Sequence, residues 1–363
     1  MFISFVKFYH ASLHSLLCFN FMIFTMKKIG FLFLFLCSIS SAFSQDIHFT
    51  QFFNSPLNLN PSSTGNIPGN VRVAVNHRSQ WNSVGTPYLT SSFSADAKKM
   101  EARSGKSFTG VGVSVLNDKS GEGDLKFLQP MIYASLHKYL GKTNSHLVSF
   151  GMNAGLFHKS IDFSKLTFPS QFEDGDFNTS IPSGENEHDF RITRFDMGTG
   201  LNYGYQDKNG IRFNAGISAA HLTRPNQSML GMQNRIAPRI TFHSSLVLPL
   251  AKDLFLLPNI LLMKQNKSQE KVIGASIGKV FSAKTEEKIT ATCGAFNRWK
   301  DALIIYSSVE YGKWNLGFSY DINISNLHPA SHSRGAYEIS VIYTDRVMSG
   351  KNSVPKIIPC IRL

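Results

Sequence analysis

Past residue 44 the chain has no apolar run of the ~20 residues that a transmembrane helix needs. That excludes a helical membrane protein. Cysteine is scarce as well. Of four in the sequence, only Cys293 and Cys360 lie beyond residue 44. Two distant cysteines make neither a metal-ligand cluster nor a disulfide framework. Acidic residues are the minority. The first 44 residues hold Lys7, Lys27 and Lys28 and no acid, which leaves 34 basic against 24 acidic residues, a net of +10. His221, His243, His328 and His332 fall on different segments without a recognisable ligand spacing, so they read as satisfied or solvent-facing side chains. No metal and no cofactor is expected.

What is present begins with an export signal. From Met26 the chain reads MKKIGFLFLFLCSISSAFSQ. Lys27 and Lys28 form a positive n-region, Ile29 to Cys37 a short apolar h-region, and Ala42 and Ser44 the small residues read by a signal peptidase. Cleavage is expected between Ser44 and Gln45, so residues 26–44 are a signal peptide. Residues 1–25 read as an upstream extension ahead of the true start. Nucleic acid is not expected as a partner after export. The positive charge suits outer-membrane lipid headgroups or acidic partners.

The remaining sequence alternates. Strand-like segments fall at 70–77, 87–97, 107–117, 125–138, 146–158, 190–206, 210–222, 237–250, 253–264, 270–282, 287–298, 301–311, 313–325 and 335–345. In one, Val148, Phe150, Met152, Ala154 and Leu156 share a face, and Ser149, Gly151, Asn153 and Gly155 share the other. Phe195, Leu201 and Tyr203 oppose Asp196, Gly200 and Asn202 in the same way. A period of two assigns each set to one side of a sheet. Many segments run ~10 residues or more, where soluble strands average ~5–6. Connections mostly alternate in length: 159–189, 223–236 and 326–334 are long and the turns near 142, 207, 251 and 312 are short, with 265–269 and 299–300 as short exceptions. Hairpin residues Gly, Asn, Asp and Lys fill the short ones.

These features predict an all-β fold: a single transmembrane antiparallel outer-membrane β-barrel of about fourteen strands over residues 70–345. Pro56 and Pro61 interrupt any ladder in residues 45–69, which are expected as a periplasmic arm or an ordered plug. Residues 346–363 are expected as a periplasmic tail. With both ends of the barrel in the periplasm, the long connections lie outside. The 159–189 connection carries Phe163, Phe168, Phe172 and Phe177 around the acids Glu173, Asp174 and Asp176, a candidate partner-docking loop. The acids have no EF-hand spacing. Asp196, Asp321 and Glu338 are candidate lumen charges, expected to pair with bases such as Arg212. Inward glycines, among them Gly110, Gly151 and Gly200, read as small lumen residues or bends.

The block HFTQFFNSPLNLNPSSTG (48–65), with its Q-F-x-x-x-P-L-x-x-N-P core, resembles the opening of the PorP/SprF family of outer-membrane proteins from Bacteroidota type IX secretion systems. RVAVNHRSQW (72–81) is similar to that family's first strand, including Arg78, Gln80 and Trp81. SIDFSKLTFPSQF, FDMGTGLNYGY, GIRFNAGISAAHLTRPNQS, FNRWKDALII, LGFSYDINISNL and SRGAYEISVIY follow in the expected order. Ala336-Tyr337 and Ile361 depart from the pattern. The resemblance implies a non-enzymatic outer-membrane component. It would support secretion or surface anchoring of large cargo such as adhesins or gliding proteins. Its partners would be that cargo, at the outer end, and the periplasmic secretion machinery, met by the arm and the tail. A porin or hydrophobic-solute transporter shares the barrel class. A barrel enzyme would need a nucleophile and base converging at one level, which spacing alone does not reveal.

Overall fold

The computed structural model describes residues 46–99, 102, 105–185, 190–281, 289–326 and 328–345. The signal peptide, the Ser44–Gln45 cleavage point and the 346–363 tail lie outside the described residues.

Alternating sequence becomes alternating burial. Among the described residues, fourteen strands close into one antiparallel barrel. They are β1 (Val71–Gln80), β2 (Tyr88–Lys99), β3 (Ser107–Ser120), β4 (Leu125–Leu140), β5 (His146–Ser160), β6 (Arg191–Gln206) and β7 (Arg212–Ala220). They continue with β8 (Arg239–Pro249), β9 (Leu254–Gln265), β10 (Ser268–Phe281), β11 (Ile289–Arg298), β12 (Ala302–Tyr311), β13 (Trp314–Asn323) and β14 (Arg334–Asp345). Each strand pairs with the next, and β14 returns to β1 from Val71↔Asp345 to Gln80↔Ala336. Closure gives the backbone the internal hydrogen bonds that a bilayer cannot supply. Every expected strand is present. β1 and β3 run further than expected, to Gln80 and Ser120, because each keeps its ladder until a turn opens it.

Val71 and Asp345 face each other at one end of the barrel, the terminal end; the other is the far end. The 161–190, 221–238 and 324–333 connections all lie at the far end. The turns at 141–145, 207–211, 250–253 and 312–313 lie at the terminal end.

Val148, Phe150, Met152 and Leu156 are exposed, whereas Ser149 and Gly151 are buried. Phe195, Leu201 and Tyr203 are likewise exposed, against buried Asp196, Gly200 and Asn202. The outer surface is therefore apolar and the inner one polar, the inverse of a soluble barrel. Exposed Tyr311, Trp314 and Tyr203 ring the terminal end, and Tyr88, Tyr320 and Tyr337 ring the far end. Trp314 and Tyr320 stand on one strand, roughly 20 Å apart at ~3.3 Å per residue, close to the height of an outer-membrane apolar band.

Residues 46–70 enter the barrel instead of hanging from it. The single helical turn α1 (Pro56–Leu59) starts on Pro56, whose missing N–H costs nothing at that position. Gln51, Asn60, Ser62 and Thr64 are completely buried. Of the two expectations for this segment, arm or plug, the second describes its placement: it packs inside the barrel as a lumen plug.

Replacing Phe150 by Arg is expected to cost ~2–4 kcal/mol, as for a cation on the lipid face near the bilayer midplane. Folding titrations into vesicles measure it; tolerance of Phe150→Arg equal to that of Phe150→Leu would reverse the assignment of faces.

Candidate functional site

The plug meets a lumen wall whose inward positions are polar, small or, in patches, apolar. It begins at the far end, where the Asp46 carboxylate lies 2.6 Å from Arg239 and 2.9 Å from His221. Asp196 closes this clasp from the other side of the imidazole at 2.6 Å. Burial disfavours the His221 cation, but the Asp46 and Asp196 carboxylates outweigh it and push the ring up to about 9. Burial likewise opposes the Asp46 charge, and Arg239 and His221 hold it well below the usual carboxylate range.

The chain then crosses to β10–β14. Glu338 accepts the backbone amides of Thr50 and Gln51 at 2.7 and 3.1 Å. Arg298 donates to the Thr50 hydroxyl at 2.7 Å and to Asp321 at 2.9 Å. Arg78 donates to the His48 carbonyl at 2.8 Å and to Asp321 at 3.1 Å. Glu270 lies 3.2 Å from His48 and 3.3 Å from Arg298. Buried charges of this kind persist only when paired and hydrogen-bonded.

Further on, the plug is gripped by neutral contacts and close approach. Asn60 donates to the Leu201 carbonyl at 3.1 Å, and Ser218 donates to the Leu59 carbonyl at 2.8 Å. Ser135 donates to Thr64 O at 2.6 Å. Arg72 pairs with Asp96 at 2.8 Å and donates to Ser63 O at 3.1 Å. A Cβ added at Gly110 would stand 2.2 Å from Thr64 O, one at Gly151 2.4 Å from the Pro61 carbonyl carbon, and one at Gly200 2.0 Å from Asn60 Oδ1. These glycines are seats for the plug. Phe52 and Leu59 complete the fit against the apolar patch of Leu257, Leu261, Phe296 and Tyr306.

The expected lumen acids Asp196, Asp321 and Glu338 are all inside. Their expected partner Arg212 shares the inward parity but does not reach them. Arg212 lies opposite Gln206 at the terminal end, and the partners are His221, Arg78, Arg298 and the plug amides. Asp46, Arg72, Asp96, Arg239, Glu270 and Arg298 escaped the sequence reading as lumen groups. The signal for Arg72 and Arg78 was their shared parity with inward Ala74 and Asn76.

The candidate docking loop divides into two parts. Phe163 stacks on Phe168 and Phe190, with ring centroids 6.0 and 4.2 Å apart, so these rings build the loop's own small core. Phe172–Glu173 and Asp176–Phe177 form a hairpin, with Asp174 and Gly175 at positive φ as a primed turn requires. Phe172, Phe177 and the three acids are exposed there. Asp162 donates its amide to Gly123 O, and Lys165 pairs with Asp124, which ties the loop to the β3–β4 turn.

One match to a nucleophile-elbow pattern, Gly274 to Gly278, was also overlooked in the sequence. It lies within β10, paired along its length with β9 and β11, and Ser276 is buried. An elbow needs a strand–turn–helix and an exposed hydroxyl.

Two outcomes follow from this geometry. In planar bilayers the wild type is expected to be silent, and a Gly110→Val/Gly151→Val variant, whose plug cannot seat, to conduct steadily while keeping heat-modifiable migration. The raised pKa of His221 means its contribution is complete below about pH 6.5 and is lost as pH rises through about 9. Amide protection of residues 46–50, corrected for intrinsic exchange, should fall above pH 9, and His221→Gln should show the low value already at pH 7.

No curated protein sequence matches the chain. Among solved structures, it is similar to CdiB from Escherichia coli at 9% identity and a TM-score of 0.43, covering 75% of this chain and 63% of that one. A Pseudomonas aeruginosa FadL homologue matches at 10% identity and a TM-score of 0.40, over 78% of this chain and 92% of that one. BamA from Haemophilus ducreyi lacking POTRA domains 1–3 matches at 11% identity and a TM-score of 0.40, over 76% and 70%. A family model described as type IX secretion system membrane protein PorP/SprF matches residues 41–343, and the chain therefore belongs to the PorP/SprF family.

Proposed function

We propose that this outer-membrane component of the type IX secretion system is a closed docking barrel. In this reading it holds or guides a secreted cargo protein, such as an adhesin or gliding protein, at its far end. The far end is extracellular, and the terminal end, where the chain continues beyond Asp345, faces the periplasmic machinery. Membership of the family supplies the secretion role. The carrying observation is the plug: a lumen filled by buried Gln51, Asn60 and Thr64 suits a protein that binds at its rim better than one that passes solutes. The long connections at one end add surface for a large partner. Exposed Phe172 and Phe177 at the hairpin tip, with Leu230 and Met232 on the 221–238 connection, are the kind of apolar groups that interfaces cover.

The porin or hydrophobic-solute transporter reading has one feature in its favour. A cavity of about 80 Å³ lies between the plug and the wall, lined in part by Phe49, Leu57, Met131, Tyr133, Met197 and Leu261. It is enclosed by the plug rather than continuous through the barrel in this reading.

Deleting residues 174–186 while preserving β5 and β6 is expected to leave barrel assembly intact and to abolish cargo display at the cell surface. Whole-cell labelling of the cargo measures it. Normal display with the deletion, or crosslinking of cargo only to the terminal end, would overturn the proposal.

A further inference from the structure

The barrel wall is uneven at one place. β6 pairs with β5 all the way to Arg191↔Ser160. Its ladder with β7 runs from Gln206↔Arg212 only to Thr199↔Ala219. Residues 191–198 of β6 therefore overhang β7, about 25 Å of strand at ~3.3 Å per residue.

Parity shows which groups face the notch. At the two ends of β6, Ile161 N–H donates to Phe190 O and Gln206 N–H donates to Ser145 O, both on the β5 side. Even-numbered residues turn their backbone groups to β5, so Thr193, Phe195 and Met197 turn theirs to the notch. There, substitutes stand in for a neighbouring strand. Asp196 Oδ1 accepts the Met197 amide at 2.9 Å, and Leu222 N–H donates to Met197 O at 3.0 Å. The Thr223 hydroxyl donates to Phe195 O at 3.2 Å. The Arg194 guanidinium donates to Thr193 O at 3.0 Å. Among the described residues, the Thr193 and Phe195 amides have no partner. The gradient has a physical cause. Met197 is two residues past the last β7 pair, nearest the apolar band, where an unmet backbone group is costly. Thr193 lies beyond Phe195, at the outer rim, where water reaches it.

The connection that could have covered this edge turns away. Lys159, on the inward parity of β5, donates to Gln227 Oε1 at 3.5 Å, which draws the 221–238 connection across the mouth on the lumen side. Arg194 is exposed at the edge, Arg224 and Arg235 on the flanking connection, and Phe195 outward beside them.

We propose that the overhanging edge of β6 at Thr193–Phe195 is a strand-docking site for an extended segment of a secreted partner, with alternating apolar and acidic residues. An added strand would supply the carbonyls that the Thr193 and Phe195 amides lack and displace the weakly held side-chain donors, as in other strand-addition complexes. Apolar residues would lie against Phe195 and acidic ones against the arginines. The proposal rests on the far end being the partner-facing end.

The test uses the full mature barrel in nanodiscs and a seven-residue peptide of alternating valine and glutamate. Binding is expected, weakened at least about tenfold by N-methylation of alternate peptide amides, the scale of two lost backbone hydrogen bonds. The lysine-for-glutamate twin should bind more weakly still. Thr193→Pro removes a notch-facing amide without touching the β5 ladder and should reproduce the loss with unchanged heat-modifiable migration. If that variant does not assemble, the N-methylated peptide on wild type still decides. Equal binding of methylated and unmethylated peptides, or no binding to wild type, overturns the proposal. Binding only after deletion of residues 174–186 assigns the edge to the chain's own acidic connection and also overturns it. Cargo display keeps the two ideas apart: display that depends on the 159–189 loop, with no strand binding at β6, sinks this inference and leaves the docking barrel standing.

Discussion

Asp321 lies between Arg78 and Arg298, Glu338 stands close by with both carboxylate oxygens turned to the plug, and all four side chains are buried. A lumen with this charge pattern is incomplete without something that supplies amides and a hydroxyl. The plug supplies them from Thr50 and Gln51. The remainder of the plug's path follows from that anchorage. Once residues 46–51 are fixed near the far end, the chain must return along the wall to reach Val71. Glycines at Gly110, Gly151 and Gly200 leave room for it to pass within contact distance of the strands. The apolar patch around Leu261 and Tyr306 takes up Phe52 and Leu59 on the way.

The membrane sets the other half of the design. Outside, the strands offer apolar rows with aromatic residues near both ends of the barrel; inside, polar, charged and small side chains surround the apolar patches that the plug covers. Neither surface would be stable facing the other's solvent. The wall departs from uniformity where β6 outlasts β7. Side chains, the Thr223 hydroxyl among them, and the Leu222 amide meet the backbone's needs up to the rim of the apolar band, and the departure is left open only beyond it.

The barrel was legible because alternation, strand length and hairpin residues all state the same thing locally. Val148 to Leu156 need no tertiary information to be sorted into faces. The lumen acids Asp196, Asp321 and Glu338 were legible for the same reason. Their partners were not, because pairing inside a barrel joins residues hundreds of positions apart, and Arg212 shares the inward parity without sharing the level. The plug was half legible. Pro56 and Pro61 exclude a strand, but whether such a segment sits in water or in the lumen depends on cavities that only the closed barrel creates. The docking loop was read as one aromatic-acidic surface. Phe163 and Phe168 turned out to stabilise the loop, because rings three to five residues apart in a coiling chain meet each other before they meet a partner.

The order of the chain adds a constraint on how the molecule comes into being. The plug precedes β1 in sequence, yet its amides are held by Glu338 on β14, 288 positions later, and β14 is the strand that seals the cylinder against β1. The grip of Glu338 on Thr50 and Gln51 is complete only when β14 is in place, so closing the cylinder against β1 and holding the plug depend on the same strand.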